Sequence, residues 1–595
     1  MSGPAHPPAR RRRIAAALAT AIFATPLRAQ QESFQLRAEK ELPAFVLDNE
    51  RRMDPEYDAW RSEALHDAAK PLLKAFLHDL ADGGDFAGVR FAEEFACSAL
   101  RPPLETIHND GTVAVRRAPA IPPASHGRDE LPALARDFRA AAPTDAALGT
   151  FVLKLVSVEL DAADRFRIRA YLHTHAATPV LALQWNLELE SAWRVVGADD
   201  EVALAGVRLL RYEEVLGPAG LLPDHAQRAF GGAAGWTEQV LTGTEAWTAR
   251  VDRLFGRSYY GSQGLAVGDV DGDGHDDLYF CQPGGQPNRL WLWRPGGAAE
   301  EVSARMGVDF LDKTRSALIA DFDNDGRQDL AISFGMDVAL CWNDGAGRFA
   351  TARVRGVGND EIYSLAAADA DGDGDLDLYA CRYIAGGLMA AVPSPYHDAT
   401  NGAPNVFWRN EGGREFRVAT AEVGLDHDND RFSLAAVWED FDDDGDADLY
   451  VANDFGRNNL YLNEGGKFRN VAAERGAEDL ASGMGVTVAD ADGDGDLDLY
   501  VTNMFSSAGR RIATQDDRFM GGEDVELHQY YVRHARGNSL LLNQGGAYFH
   551  DATDASGAAT GLWGWGSLFF ELDNDGLPDL YAPNGFLTNP EPADL

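Results

Sequence analysis

The sequence predicts a mainly β chain, a β-propeller of six or seven blades preceded by a smaller α+β domain. Three observations carry this. An Asp-rich ten-residue motif recurs six times after residue 268, and a strand–turn–strand element repeats between the copies. Ahead of them lies a motif-free part in which helical spacing gives way to long alternating segments.

Residues 30–215 form that first domain. Tyr57 to Leu80 is rich in helix formers, with Leu65, Ala68, Leu72, Phe76 and Leu80 at helical spacing, and Asp129 to Ala142 reads as a second helix. Four alternating runs follow, at 151–160, 166–175, 181–190 and 203–212, as expected for a four-stranded antiparallel sheet. Helices ahead of such a sheet resemble the nuclear transport factor-like cone fold. His173 and His175 share one strand face, but without a third ligand in view they read as a polar solvent face. Trp185 and Trp193 are expected in the core. Residues 216–235 read as a linker.

Composition narrows the function. The 595 residues carry 94 acidic against 53 basic side chains, a net charge of −41. That excess argues against nucleic acid, whose phosphates need clustered Lys and Arg, and against an anionic membrane surface. Residues 1–29 read as a signal peptide, with Arg10 to Arg13 ahead of an apolar run from Ile14 to Leu27. Cleavage before Gln30 would remove five arginines and no acid, taking −41 to −46. The expected location is therefore periplasmic, extracellular or cell-surface, with no membrane span after cleavage. Export permits disulfides, yet Cys281 and Cys381 fall at equivalent points of separate repeats, so buried free thiols are expected.

The six loops read D-x-D-x-D-G-x-x-D-L and start 52, 48, 71, 50 and 81 residues apart. Position 1 is Asp269, Asp321, Asp369, Asp440, Asp490 and, breaking the pattern, Glu571. Position 3 is Asp271, Asp323, Asp371, Asp442, Asp492 and Asp573; position 5 is Asp273, Asp325, Asp373, Asp444, Asp494 and Asp575. Position 6 is always Gly, which suits a sharp turn at positive φ. Position 7 varies (His275, Arg327, Asp375, Asp446, Asp496, Leu577), as it can where only the backbone carbonyl matters. Position 9 is Asp277, Asp329, Asp377, Asp448, Asp498 and Asp579.

Calcium is a hard ion that takes six to eight oxygens, and short Asp side chains in a tight loop can supply them. Left without a cation the carboxylates would repel, since like charges at ~4 Å cost about 1 kcal/mol even in bulk water. The loops are not EF-hands, because position 12 is never Glu and a strand rather than a helix follows. Up to six structural Ca²⁺ ions are expected.

Between loops run NRLWLWRPGG, NVFWRNEGG, NNLYLNEGGKF and NSLLLNQGGAYF, each a strand, a Gly turn and a strand start. Four strands in ~50 residues is the size of a propeller blade. These loops and strands resemble the FG-GAP (VCBS) repeats of integrin α-type propellers, and DLYVAN…NNLYLNEGGKF resembles bacterial cartilage acidic protein-like members. The resemblance covers about 236–595. It implies a calcium-binding hairpin between the first two strands of each blade, with side chains at positions 1, 3, 5 and 9 as ligands. Glu571 departs from it and puts the sixth site in doubt. Residues 236–252 read as two strands that share a closing blade with the last two strands of the chain.

Both long insertions, about 382–404 and 502–537, join strand 2 to strand 3 and so lie opposite the Asp loops. Long loops on a rigid scaffold often carry function. Tyr396, His397, Asp398 and Asn401 in the first, and Arg510, Arg511, His528 and Tyr530 in the second, are the ligand-face candidates. The leading reading is an adhesion or binding scaffold for a protein or glycan. The alternative is an exported polysaccharide- or lipid-acting hydrolase or lyase, although neither G-x-S-x-G nor H-E-x-x-H occurs.

Overall fold

The computed structural model describes residues 60–197, 200–220, 224–242, 264–294, 296–356, 358–385, 392–513, 524–561, 563–572 and 575–583. The expected signal segment lies outside them. No helix among them is long and apolar enough to cross a membrane.

Helix α1 (Arg61–Asp82) buries Leu65, Leu73, Phe76 and Leu80 on one face and ends at Gly83, whose φ of 77° closes the turn. Helix α2 (Leu131–Arg139) places Phe138 on Trp185, with ring centroids 4.8 Å apart. The sheet beneath has eight strands rather than four. The four expected runs are longer than their patterns suggested: β5 (Ala147–Ala162), β6 (Arg165–Ala177), β7 (Leu181–Val195) and β8 (Val202–Pro218). The strands not foreseen are β1 (Phe91–Cys97), β2 (Glu105–Asn109), β3 (Ala114–Arg117) and β4 (His126–Gly127). The order is β2-β3-β8-β7-β6-β5, with β1 pairing β4 and, in parallel, β8. These four are short, and FAEEFAC does not alternate cleanly. Trp185 and Trp193 are core residues. The His173 ring nitrogen bonds Asn186 at 3.0 Å, and among the described residues neither strand histidine joins a metal-competent cluster.

Among the described residues seven antiparallel sheets follow, five of four strands and two of two. The first holds β9 (Leu265–Gly268), β10 (Asp277–Phe280), β11 (Arg289–Arg294) and β12 (Ala298–Glu301). The second holds β13 (Thr314–Ala320), β14 (Asp329–Phe334), β15 (Asp337–Asn343) and β16 (Phe349–Val354). The third holds β17 (Ile362–Ala368), β18 (Asp377–Arg382), β19 (Val406–Asn410) and β20 (Phe416–Val418). In the fourth, β21 (Phe432–Glu439) and β22 (Asp448–Asp454) pair on to β24 (Asn459–Asn463) and β25 (Phe468–Asn470). A two-residue pair, β23 (Gly456–Arg457) with β26 (Leu480–Ala481), sits beside it. The fifth four-stranded sheet holds β27 (Gly483–Ala489), β28 (Asp498–Asn503), β29 (Ser539–Asn543) and β30 (Phe549–Asp551); β31 (Leu568–Phe570) and β32 (Asp579–Tyr581) form the last sheet.

The first strand of each sheet packs on the first strand of the next, from β9 through β13, β17, β21 and β27 to β31. This is propeller geometry. The cores lie between blades: Tyr279 and Leu290 meet Leu330 and Ile332, and Leu340 and Trp342 meet Leu378 and Trp408. All four cysteines are free and buried.

One expected strand is not a strand. Trp236–Val240 is a π-helical turn entered through Gly235 at φ 81°. Gln239 donates to the Pro287 carbonyl at 2.8 Å, and Trp236 stacks on Phe230 beside Trp291, which holds the turn against the first blade. Residues 243–252 of that expectation lie outside the described residues.

Candidate metal centres and ligand face

Every Asp loop joins strand 1 to strand 2 of its blade, and its backbone folds around its own acids. In loop one, Asp269 Oδ1 accepts the N–H groups of Gly272 (2.8 Å) and Asp273 (3.0 Å), and its Oδ2 accepts that of Gly274 (2.9 Å). Asp273 Oδ1 accepts the N–H of position 7 at 3.0 Å. The same pattern holds at Asp369, Asp440 and Asp490. Position 6 has φ between 83° and 100° in all six copies. Position 4 is left-handed too, at Gly272, Asn324, Gly372, Asp443 and Gly493. Only Gly, Asn and Asp stand there, the residue types that tolerate this conformation.

Position 9 is a clamp. Asp448 Oδ2 accepts the position-2 N–H of Phe441 (3.0 Å), and its Oδ1 accepts the N–H of Asn463 on the third strand (2.8 Å). Asp277, Asp329, Asp377 and Asp498 do the same. Burial, opposed by these bonds and reinforced by the carboxylates at positions 3 and 5, pushes the position-9 acid up. It reaches about 6 in Asp277, Asp329 and Asp498, and about 7 in Asp377 and Asp448.

Acid oxygens converge in five loops. Positions 1, 3 and 5 meet in loops one to three (Asp269, Asp271, Asp273; Asp321, Asp323, Asp325; Asp369, Asp371, Asp373), each set of ligand atoms lying within 4.8 Å of one another. In loops four and five the sets are Asp440, Asp442, Asp448 and Asp490, Asp492, Asp498. Two oxygens at ~2.4 Å from one calcium ion can be no further apart than that. Asp371 Oδ1 and Asp442 Oδ1 are buried and have no hydrogen-bond partner. An orphaned carboxylate oxygen is costly in a protein but is what a cation requires. The residues therefore fit calcium. Asp375, Asp444, Asp446, Asp494 and Asp496 stand outside these converging sets. In loop six, Asp575 accepts from Leu577 and Asp579 from Leu572, both at 2.8 Å, as in the other copies. Glu571 is exposed, and Asp573 lies outside the described residues.

Sequence reasoning missed the residue that ties loop to loop. Asn463 Nδ2 donates to the Ala447 carbonyl of its own loop (3.0 Å) and to the Ala370 carbonyl of the previous one (2.8 Å). Asn343, Asn410 and Asn543 repeat the bond to the preceding loop at 2.8, 3.0 and 2.9 Å. The signal was present, since Asn precedes each acidic or Gln Gly turn in W-N-D-G, R-N-E-G, L-N-E-G and L-N-Q-G.

At the other end the two insertions meet. His397 stacks on Tyr530 (5.8 Å, 16° between planes) and Tyr396 on Tyr531 (6.5 Å, 17°). Asp398 accepts from Arg431 (2.5 Å) and Arg457 (3.0 Å), whose charges hold it below the usual carboxylate range against its burial. Arg457 lies over the Tyr530 ring. His534 is buried, which pushes its imidazole down, and its Nε2 lies 2.9 Å from the His397 carbonyl. Helix α4 (Val525–His534) carries Tyr530, Tyr531, His534 and the half-buried His528.

Three candidates serve elsewhere. Asn401 bonds its own loop, donating to the Val392 carbonyl and accepting from the Ser394 N–H. Arg510 and Arg511 lie on α3 (Ser507–Ala513), which packs on β5 of the N-terminal domain. Arg511 is only 4% exposed; it donates to the Leu155 carbonyl (2.8 Å) and pairs with Glu63 (3.1 Å). Arg510 reaches the Tyr171 hydroxyl at 3.3 Å. These arginines are a domain clasp, because a buried guanidinium needs a fixed anion that the N-terminal domain supplies.

Five four-stranded blades and a two-stranded sixth, with acid oxygens converging in five of their first hairpins, make a repeat propeller with metal-competent loops. Its repeats are similar to a known type: residues 269–332, 321–380 and 440–501 match the FG-GAP-like repeat. Mouse cartilage acidic protein 1 is 25% identical over 356 residues, covering 54% of this chain and 49% of that protein. The human protein of that name is 26% identical over 356 residues, covering 54% and 48%. The chain thus spans about half the length of these relatives. Among solved structures, an Agrocybe aegerita lectin that recognises non-reducing terminal N-acetylglucosamine aligns over 68% of this chain and 79% of its own (14% identity, TM-score 0.29). The Pseudomonas aeruginosa periplasmic gluconolactonase aligns over 60% and 92% (11% identity, TM-score 0.25). At these scores the likeness carries no argument about ligand or activity.

Proposed function

We propose that this chain is an exported, calcium-stabilised scaffold that binds a protein or glycan on the face opposite its Asp loops. Calcium is structural on this reading: it offsets part of the loops' negative charge and fixes the first hairpin of each blade. The observation that supports the binding face is the junction of the two insertions. Segments more than 120 residues apart bring Tyr396, His397, Tyr530 and Tyr531 into one aromatic patch, with Asp398 and Arg457 at its edge. Tyr396 is 45% exposed, so its ring is open to a partner. Aromatic rings beside fixed charges are what hot spots for protein or sugar recognition are made of.

The full chain, immobilised with calcium, is offered extracellular proteins and an array of glycans. A partner retained by the parent and lost by both Tyr396→Ser and Tyr530→Ser supports this face, whereas retention by both variants rejects it. N-terminal sequencing of the exported chain should begin at Gln30, and an intact Met1 terminus would reject the export reading.

A further inference from the structure

The loops share one motif but differ in what already sits on their acids. In loop one, Arg294 Nη1 donates to Asp271 Oδ2 (2.7 Å) and to Asp273 Oδ2 (2.9 Å), bridging positions 3 and 5. In loop two, Arg414 Nε donates to Asp323 Oδ2 (2.7 Å), and Arg327 pairs with Asp325. In loop three, Arg409 Nε lies 3.0 Å from Asp371 Oδ2 as an ion pair without hydrogen-bond alignment, and Oδ1 of the same carboxylate stays orphaned.

These arginines come from different places. Arg294 is on the third strand, one residue past the N–H that bonds Asp277; Arg409 stands one residue before the corresponding bond to Asp377; Arg414 is in the following turn; Arg327 is position 7 of its own loop. Different backbone positions thus bring a guanidinium to the same acids.

Loops four and five have none. Among the described residues no Lys or Arg forms an ion pair with Asp440, Asp442, Asp444, Asp446 or Asp448, nor with Asp490, Asp492, Asp494, Asp496 or Asp498. The two loops also add charge to each other, since Asp443 lies against Asp496. In both, the buried position-9 acid joins the converging set.

We infer that arginines are resident counter-ions in loops one to three and that loops four and five are the tight calcium sites, so the ring fills unevenly. The inference rests on the calcium reading above. A guanidinium satisfies carboxylate oxygens by charge-assisted hydrogen bonds. Calcium entering loop one must displace Arg294 from both acids before using them, and calcium affinity is set by ligand charge and rigidity. Loops four and five present the same acids with no guanidinium paired to them among the described residues; Arg475 acts on Asp442 only through its charge, without an ion pair.

Native mass spectrometry of the full chain, titrated with calcium chloride at buffered free calcium, tests this. The parent should retain two ions at the lowest free calcium. Asp442→Asn combined with Asp492→Asn should lose those two and keep the weaker ions. Arg294→Ala should keep the tight pair and tighten one weak site by about five-fold, the size set by a partly exposed ion pair worth about 1 kcal/mol. Arg294→Gln, which keeps the stem, should do the same and serves if the alanine variant fails to fold. Unchanged weak-site midpoints in both Arg294 variants, or loss of weak ions first from the Asp442/Asp492 double variant, would overturn the ordering while leaving calcium binding intact. A parent that binds no calcium would overturn the calcium reading itself, and this inference with it.

Discussion

Calcium should stabilise this protein far more at neutral than at mildly acid pH. The position-9 carboxyls are buried, and in the metal-free fold they sit at about 6 in Asp277, Asp329 and Asp498 and about 7 in Asp377 and Asp448. An unfolded Asp has a pKa of about 3.9. The native state therefore binds more protons than the unfolded state above pH ~4, and its stability falls as pH rises through about 6 to 7. Each such shift corresponds to a loss of roughly a few kcal/mol of stability at neutral pH. The metal-free ring at neutral pH must take up protons, open its loops or bind a cation. Paired acids such as Asp398 and Asp551 have lowered values and lose their contribution only at more acid pH. The buried His534 is pushed down and opposes the trend, which the buried Asp454, pushed up to about 6, joins. Calorimetry on resin-stripped protein should show a large calcium-induced rise in Tm at about pH 7.5 and a small one at about pH 5. An equal rise at both, or a metal-free protein more stable at the higher pH, would refute the reasoning.

Three further outcomes follow from particular contacts. Asn463→Ala removes donors from one buried and one half-buried carbonyl and the acceptor for the Gly466 N–H (2.7 Å). It should cost about 2–4 kcal/mol, read as a lower urea midpoint at unchanged slope. Arg511→Ala leaves Glu63 without its buried partner, and a loss of about 3–5 kcal/mol at the clasp should split the thermal transition so that the N-terminal domain melts first. Gly445→Ala meets no steric neighbour but forces alanine to φ 95°; it should cost about 1–3 kcal/mol and weaken calcium binding by titration calorimetry.

The repeating part was the more legible. Each loop encodes its own turn, because Asp accepts nearby N–H groups and Gly supplies positive φ, so six copies in register announce the hairpins. The long strands β5 to β8 were legible because one face is buried and period two survives. What escaped depends on contacts distant in sequence. Nothing local in FAEEFAC says that it pairs in parallel with a strand more than 100 residues on. The stitching role of Asn463 requires knowing that Ala370 lies beside it. Arg510 and Arg511 read as open loop charges, yet their anion and carbonyl partners belong to another domain. Tyr396, His397, Asp398 and Tyr530 were found as candidates but not as neighbours; Tyr531, His534 and Arg457, which complete the patch, carry no motif at all.

The most direct test is a crystal structure grown in calcium chloride, with the anomalous signal recorded. The account predicts one ion in each of loops four and five, ligated by Asp442 and Asp492, with the Asp442 Oδ1 that now lacks a partner about 2.4 Å from it. Hairpins that keep this shape with no ion beside either aspartate, in crystals saturated with calcium, would contradict it.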